Sequence, residues 1–363
     1  MIKVQLTNEI LKHISAIDEK RYALNSVSLP LTVSNKLRKN SKKKSSYASN
    51  KIEGNPLSEQ QVSAAIEADE HHHFLKPEEE VRNYFLALGL LEGKAKAKEP
   101  FSKELILQVQ ALVEKGASRE KIGIRGPMPP GFLFAVYDST TGDPDYIPPE
   151  HSDIPILLDE LVEYVNTTDD HPLIVAGVVH YQLVTIHPFD DGNGRTARLL
   201  SGYILDYYGY GFNGIGSLEE YFAYDPDEYY SSLQMDLPSL YYEGRDDPPH
   251  PEIWINYFLR MVQLYADKVW EISQSVAGED VEGSLTHLSY KDKEFLTYLL
   301  KNKIYEFRPV DVSKMLGVTN KTVSNRCANL ALNGFVIPKL AKQRIVSYFL
   351  TDLAKQCERC LEI

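Results

Sequence analysis

The sequence predicts a mainly α fold: a helical core with one small β-hairpin, followed by a helix-turn-helix module with two short strands. Three observations predict it. Apolar residues recur at helical spacing along most of the 363 residues. One internal stretch, 123–149, instead combines Gly and Pro with short β-like pieces. Positive charge gathers at the C-terminal end, where residues 284–363 hold 13 Lys+Arg against 7 Asp+Glu although the whole chain carries −12.

Taken in order, residues 1–35 read as a lead-in helix plus loop, and Lys36–Lys44 as a basic solvated face or loop. Ala48–Glu53 forms a helix that Gly54-Asn55-Pro56 stops, which puts Ser49 and Glu53, four apart, on one face. Ser58 and Gln61 have capping-box spacing and open a helix running towards Phe74. His71-His72-His73 reads as exposed loop. Pro77 opens a helix through Leu91, and Ser102 caps another from Lys103 to Glu114.

The pieces Phe132–Tyr137 and Asp145–Ile147, with Thr140–Asp143 as turn material, read as a hairpin that Pro148-Pro149 ends. Helices follow over Ile154–Asn166, from Pro172, from Gly192–Gly194, over Ser217–Ala223, from Asp227 and over Glu252–Ser273. Val276–Gly283, with two Gly and several acids, reads as a linker. The last module reads as helices over Lys291–Asn302, Pro309–Leu316 and Asn320–Asn333, then strands Phe335–Ile337 and Arg344–Phe349: a winged helix-turn-helix. Its second helix offers Lys321, Ser324, Asn325 and Arg326, which suit phosphates and base edges of DNA. The expected domains are 1–100, 101–275 and 284–363.

Composition narrows the classes. A hydrophobic content of 43% and a charged content of 25% are those of an ordinary globular protein, and the net charge argues against a nucleic-acid binder along its whole length. Three cysteines, Cys327, Cys357 and Cys360, suit a reducing compartment. No apolar run approaches the ~20 residues that span a bilayer, and no signal-peptide core opens the chain. The expected location is cytoplasmic, with no membrane partner.

The chemistry concentrates in His187-Pro-Phe-Asp-Asp191-Gly-Asn-Gly-Arg195-Thr-Ala-Arg198, a polar turn between two apolar helices. Gly192-Asn193-Gly194 opens the second helix, whose N-terminus is an anion site. A dinucleotide fingerprint fits Gly192 to Ala197 by letter only, since no βαβ unit surrounds it. An EF-hand would need alternating ligands and a closing Glu that the stretch lacks. The residues themselves support phosphoryl or nucleotidyl transfer: His187 as base, Asp191 on Mg²⁺, and Arg195 and Arg198, three apart, on one polyphosphate.

His187–Arg198 resembles the H-P-F-x-D-G-N-G-R-x-x-R motif of the Fic family at every fixed position. The resemblance implies a Fic-type helical core and transfer of AMP from ATP to a hydroxyl (Ser, Thr or Tyr) of target proteins or of the enzyme itself. It implies His187 as general base and Asp191 as Mg²⁺ ligand. Gly192, Asn193 and Gly194 would form the phosphate-binding turn, and Arg195 and Arg198 would lie on the β- and γ-phosphates. Tyr146 and Ile147 resemble the target-aligning flap, and Tyr229 and Tyr230 the adenine side. Ser49-x-x-x-Glu53-Gly54 resembles the family's inhibitory motif, whose Glu competes for the second arginine, here Arg198. The longer segment Gly126–Gly131 departs from the family and leaves the flap register open. The same resemblance admits removal of AMP from modified proteins, and a homodimer. The basic C-terminal module admits a DNA-binding regulator with a nucleotide-sensing domain.

Overall fold

Polar side chains set the starts of many helices in the computed structural model, which describes residues 2–357 apart from 26, 28, 30, 70–71, 118–121, 138–141 and 342–343. Cys360, His71 and the turn residues Thr140 and Thr141 lie outside the described residues. Two compact units form: Met1–Arg21 with Leu37–Asp267, and Tyr22–Lys36 with Lys268–Ile363. Helices α1 (Asn8–Asn25) and α2 (Leu31–Ile52) come first. The capping box at Ser58 and Gln61 then opens α3 (Glu59–Glu67). Pro77 stands in the first turn of α4 (Lys76–Lys96), and Ser102 Oγ accepts the Leu105 N–H to cap α5 (Lys103–Val113).

The first unit continues with α6 (Ile154–Thr167), α7 (Pro172–Ile186) and α8 (Asn193–Tyr207). Then come α9 (Glu219–Tyr224), α10 (Pro226–Gln234) and the first part of the long α11 (Glu252–His287), whose residues from Lys268 on belong to the second unit. α7 is apolar on nearly every side and is therefore buried on nearly every side, as the middle of a core must be. Trp254 Nε1 donates to the Gly177 carbonyl at 2.8 Å. A Cβ on Gly177 would stand 3.0 Å from Ile255 Cδ1, so glycine there lets α7 and α11 approach closely. α8 packs against α4, α5 and α7. The hairpin is β1 (Val136–Tyr137) against β2 (Pro144–Tyr146), antiparallel.

The second unit contains α12 (Tyr290–Lys301), β3 (Glu306–Phe307), α13 (Pro309–Leu316), α14 (Asn320–Leu332), β4 (Val336–Ala341), β5 (Arg344–Leu350) and α15 (Asp352–Gln356). Its sheet is antiparallel in the order β3-β5-β4. Phe295, Leu299, Val312, Val323, Cys327, Leu330 and Phe335 fill its core. Gly317, with φ +65°, makes the turn between α13 and α14. On α14, Lys321 and Asn325 are exposed, Ser324 is half-buried, and Arg326 stacks over Phe295, 5.8 Å from its ring centre.

Four expectations need correction. The basic run Lys36–Lys44 is a partly solvated face of helix α2 and not a loop, because Lys and Arg are good helix formers. The helix after Ser58 stops at Glu67, where its apolar face of Val62 and Ala65 ends. The strand expected over Phe132–Tyr137 is confined to Val136–Tyr137, since its partner strand is only three residues and begins with a proline that has no N–H. The expected linker Val276–Gly283 is helical and continues α11. Each glycine costs about 1 kcal/mol there, which a helix already nucleated tolerates. Strand β3 was not anticipated, because two residues carry no periodicity.

Candidate active site

The turn between α7 and α8 is built by its own side chains. His187 ends α7 in the left-handed conformation, φ 47° and ψ 58°. Asn193 spends its amide on the loop: its Oδ1 accepts the Phe189 N–H at 3.0 Å, and its Nδ2 donates to the Phe189 carbonyl at 2.8 Å. Asp191 Oδ1 accepts the Gly192 N–H at 2.8 Å. Gly192 is left-handed, φ +81°, and a Cβ there would lie 2.6 Å from Glu114 Oε1. The first N–H groups of α8 therefore open onto a tight turn whose backbone an anion can approach.

The imidazole of His187 is half-buried. Its Nδ1 lies 3.2 Å from the Val184 carbonyl. A carbonyl only accepts, so Nδ1 carries the proton and Nε2 keeps a free lone pair. Burial pushes this imidazole down to about 4, against the Val184 bond, and the Arg125 charge pushes the same way. Arg125 is itself buried: its Nε donates to the His187 carbonyl at 2.9 Å and its Nη2 to the Pro149 carbonyl. Its guanidinium lies 4.6 Å from the centre of the Phe134 ring. The loop base and the end of the hairpin thus share one cation. Tyr146 is buried, donates to the Thr185 carbonyl and sets its ring edge-on to His187 at 6.4 Å. Ile147 is tied through its N–H to Ser239 and through its carbonyl to Tyr241.

Both arginines are buried. Arg195 Nη2 meets Glu114 Oε1 at 2.9 Å and Asp191 Oδ1 at 3.3 Å, while its Nε and Nη1 have no hydrogen-bond acceptor among the described residues. A buried cation with unmet donors at a helix N-terminus is a place for an oxyanion. Burial raises the Glu114 carboxyl to about 7 in spite of Arg195. Removing that carboxylate leaves Asp191 as the remaining anionic contact of Arg195 among the described residues. Glu114→Ala is expected to cost about 1–3 kcal/mol of stability, more at pH 6 than at pH 8, because a carboxyl that burial raises to about 7 is destabilising once ionised. An unchanged urea midpoint would contradict this.

Arg198 is held by α2. Its Nε donates to Ser49 Oγ at 2.8 Å, and its Nη2 donates to the Ser49 carbonyl at 3.1 Å and to Glu53 Oε1 at 2.5 Å. The Ser49 carbonyl is available because the Glu53 N–H turns to Asn50 instead, at 3.1 Å, as α2 tightens in its last turn. Gly54, φ +79°, ends the helix, and the Asn55 amide donates to the Pro77 carbonyl and to Glu80. The Glu53 carboxylate occupies the space a Cβ on Gly194 would take, so it stands on the Gly192–Gly194 turn itself. Tyr229 is buried with its hydroxyl 3.4 Å from Arg198 Nη1, and Tyr230 is partly exposed beside it.

The basic run of α2 pairs with carboxylates of neighbouring elements. Lys42 pairs with Glu92 at 2.5 Å, Lys43 and Lys39 with Glu67 at 2.7 and 3.1 Å, and Lys44 with Glu220 at 3.1 Å. Ser49, Glu53, Tyr146, His187, Asp191–Arg195, Arg198 and Tyr229 therefore converge on this site, whereas Lys321, Ser324, Asn325 and Arg326 belong to the other unit. Sequence reasoning missed Glu114, Arg125 and His180. Each is a single residue in an unremarkable stretch, and only the fold brings it here.

Comparison with known proteins agrees with the motif. The Fic/DOC family profile matches residues 100–205. The chain is 29% identical over 219 residues to a protein adenylyltransferase Fic from Drosophila mojavensis, covering 57% of this chain and 40% of that one. It is 30% identical over 205 residues to a protein of the same name from Nematostella vectensis, covering 55% and 45%. The chain thus spans less than half the length of these curated relatives. Its fold is similar to the crystal structure of a Fic family protein from Desulfovibrio desulfuricans G20, with TM-score 0.60 and 20% identity over 97% of this chain and 98% of that one.

Proposed function

Residues 100–205 belong to the Fic/DOC family, and from that premise we propose that this chain transfers AMP from ATP to a hydroxyl side chain of a protein and that Glu53 holds the activity down. The observation that carries the reading is the Glu53–Arg198 pair at 2.5 Å, seated on the phosphate turn. An inhibitory carboxylate has a target here only if Arg198 otherwise serves an anion.

In the reaction the target hydroxyl attacks the α-phosphorus, the bond to pyrophosphate breaks, and the hydroxyl proton passes to His187 Nε2. The free lone pair of Nε2 supports this role. Arg195, with its unmet donors, and Arg198 neutralise the β- and γ-phosphates. A magnesium ion arriving with ATP needs little more than one carboxylate besides the phosphates, and Asp191, partly exposed at the turn, fits that need. When bound, the ion neutralises phosphate charge. Mass spectrometry of protein incubated with ATP tests the proposal: an AMP adduct on a Ser, Thr or Tyr is expected, on the enzyme or on a target. A phosphate adduct in its place rejects the reading.

The depressed His187 sets the pH behaviour. A general base works when neutral, and a group near 4 is neutral throughout pH 5.5–7. The specificity constant is therefore expected to stay flat over that range and to fall only as the pH drops towards 4. An acid limb centred near 6.5, the ordinary histidine value, would contradict it. The reverse reaction, hydrolytic removal of AMP, is the second reading. The position of Glu53 on the turn favours it, since the same carboxylate can orient a water. Glu53-dependent loss of AMP from a modified protein distinguishes it.

A further inference from the structure

Beneath Arg198 lies a buried polar ring whose histidine neither the motif nor the proposed reaction uses. His180, on α7, is fully buried among Phe222, Tyr229, Trp254 and Phe258. Its Nδ1 lies 3.3 Å from Ser201 Oγ and its Nε2 2.9 Å from the Tyr229 hydroxyl. Ser201 Oγ lies 3.0 Å from the Arg198 carbonyl, and Arg198 Nη1 lies 3.4 Å from the Tyr229 hydroxyl.

Donor arithmetic fixes every proton in this ring. A carbonyl only accepts, so the Ser201 hydroxyl proton goes to Arg198 and Ser201 Oγ must accept from His180 Nδ1–H. A guanidinium only donates, so the Tyr229 oxygen accepts from Arg198 and its proton goes to His180 Nε2. His180 is then the neutral Nδ1–H tautomer. Burial and the nearby Arg198 charge both favour that neutral form. Arg198 is gripped at both ends, backbone and guanidinium, through one imidazole.

We propose that His180 is a positioning residue for the nucleotide: through Tyr229 and Ser201 it fixes the Arg198 guanidinium in the orientation that receives the γ-phosphate. The inference rests on the proposed reading of Arg198. It concerns a side chain that touches neither substrate nor reacting atoms. The face of Arg198 held by Ser49 and Glu53 is separate from the face held by Tyr229, so the ring persists when Glu53 is removed.

The test uses the full chain with Glu53→Gly, and measures binding of ATP and ADP by calorimetry. Tyr229→Phe deletes the hydroxyl that links Arg198 to His180. His180→Asn keeps a donor near Nδ1 and loses the acceptor at Nε2. His180→Gln can place Oε1 near Nε2 and accept from Tyr229 again. Tyr229→Phe and His180→Asn are expected to weaken ATP about tenfold and ADP, which lacks the γ-phosphate, less than about twofold, with His180→Gln recovering most of the loss. Equal weakening of ATP and ADP, or none for ATP in Tyr229→Phe, would overturn the proposal in favour of simple core packing.

Arg198→Ala separates the two levels. If it leaves ATP binding unchanged, the γ-phosphate role of Arg198 fails, and this inference with it. If it weakens ATP while Tyr229→Phe does not, only the inference fails. Nitrogen NMR on ¹⁵N-histidine protein gives a readout independent of nucleotide. It should show His180 protonated on Nδ1 alone, and the opposite tautomer or an imidazolium overturns the ring.

Discussion

Replacing Glu53 by Gly is expected to raise AMP transfer on the order of 100-fold. Arg198 is buried, and Glu53 Oε1 at 2.5 Å is its anionic contact among the described residues. Truncating one partner of such a pair is worth about 2–5 kcal/mol, and each tenfold change corresponds to about 1.4 kcal/mol. The gain falls in the lower part of that range, because Ser49 keeps its two bonds to Nε and Nη2. Transfer of label from [α-³²P]ATP to protein measures it. A variant that labels no better than the parent removes Glu53 from the inhibitory role. Binding of ATP should tighten in parallel, since the γ-phosphate no longer meets a competing carboxylate.

Loss of His187 should have the largest effect in the opposite direction. In the Glu53→Gly background, removing the imidazole is expected to slow transfer about 10²–10⁴-fold while leaving ATP binding nearly intact. The choice of substitute matters. His187 is left-handed with φ 47°, a conformation that strains alanine and suits asparagine. His187→Asn keeps the backbone and removes the proposed base, so its rate loss reports chemistry. His187→Ala adds backbone strain. Transfer by the Asn variant at the background rate would move the base elsewhere.

The central turn was legible in the sequence because its chemistry is local. A base, a carboxylate, a left-handed glycine and two arginines lie within twelve positions, and their spacing alone puts them at one helix start. Ser49 and Glu53 were legible as a motif, yet their partner lies almost 150 residues away and only the fold brings them to Arg198. Glu114, Arg125 and His180 left no local trace. A glutamate ending α5, an arginine in a Gly/Pro-rich stretch and a histidine on an apolar helix each have ordinary structural uses. The C-terminal helices were read closely from caps and periodicity, whereas α11 ran on through an expected linker because two glycines do not stop an established helix.

The row of lysines on α2 gives the docking of that helix an ionic-strength dependence of its own. Lys39, Lys43 and Lys44 meet their carboxylates at the surface, where salt screens attraction over about 10 Å or less. Lys42 and Glu92 are more enclosed, and Glu92 is held down to about 2. The contacts that Ser49 makes with Arg198 are buried and feel salt far less. Rising ionic strength is therefore expected to weaken the lysine pairs along the outer side of the helix before it disturbs the buried contacts of Ser49 with Arg198.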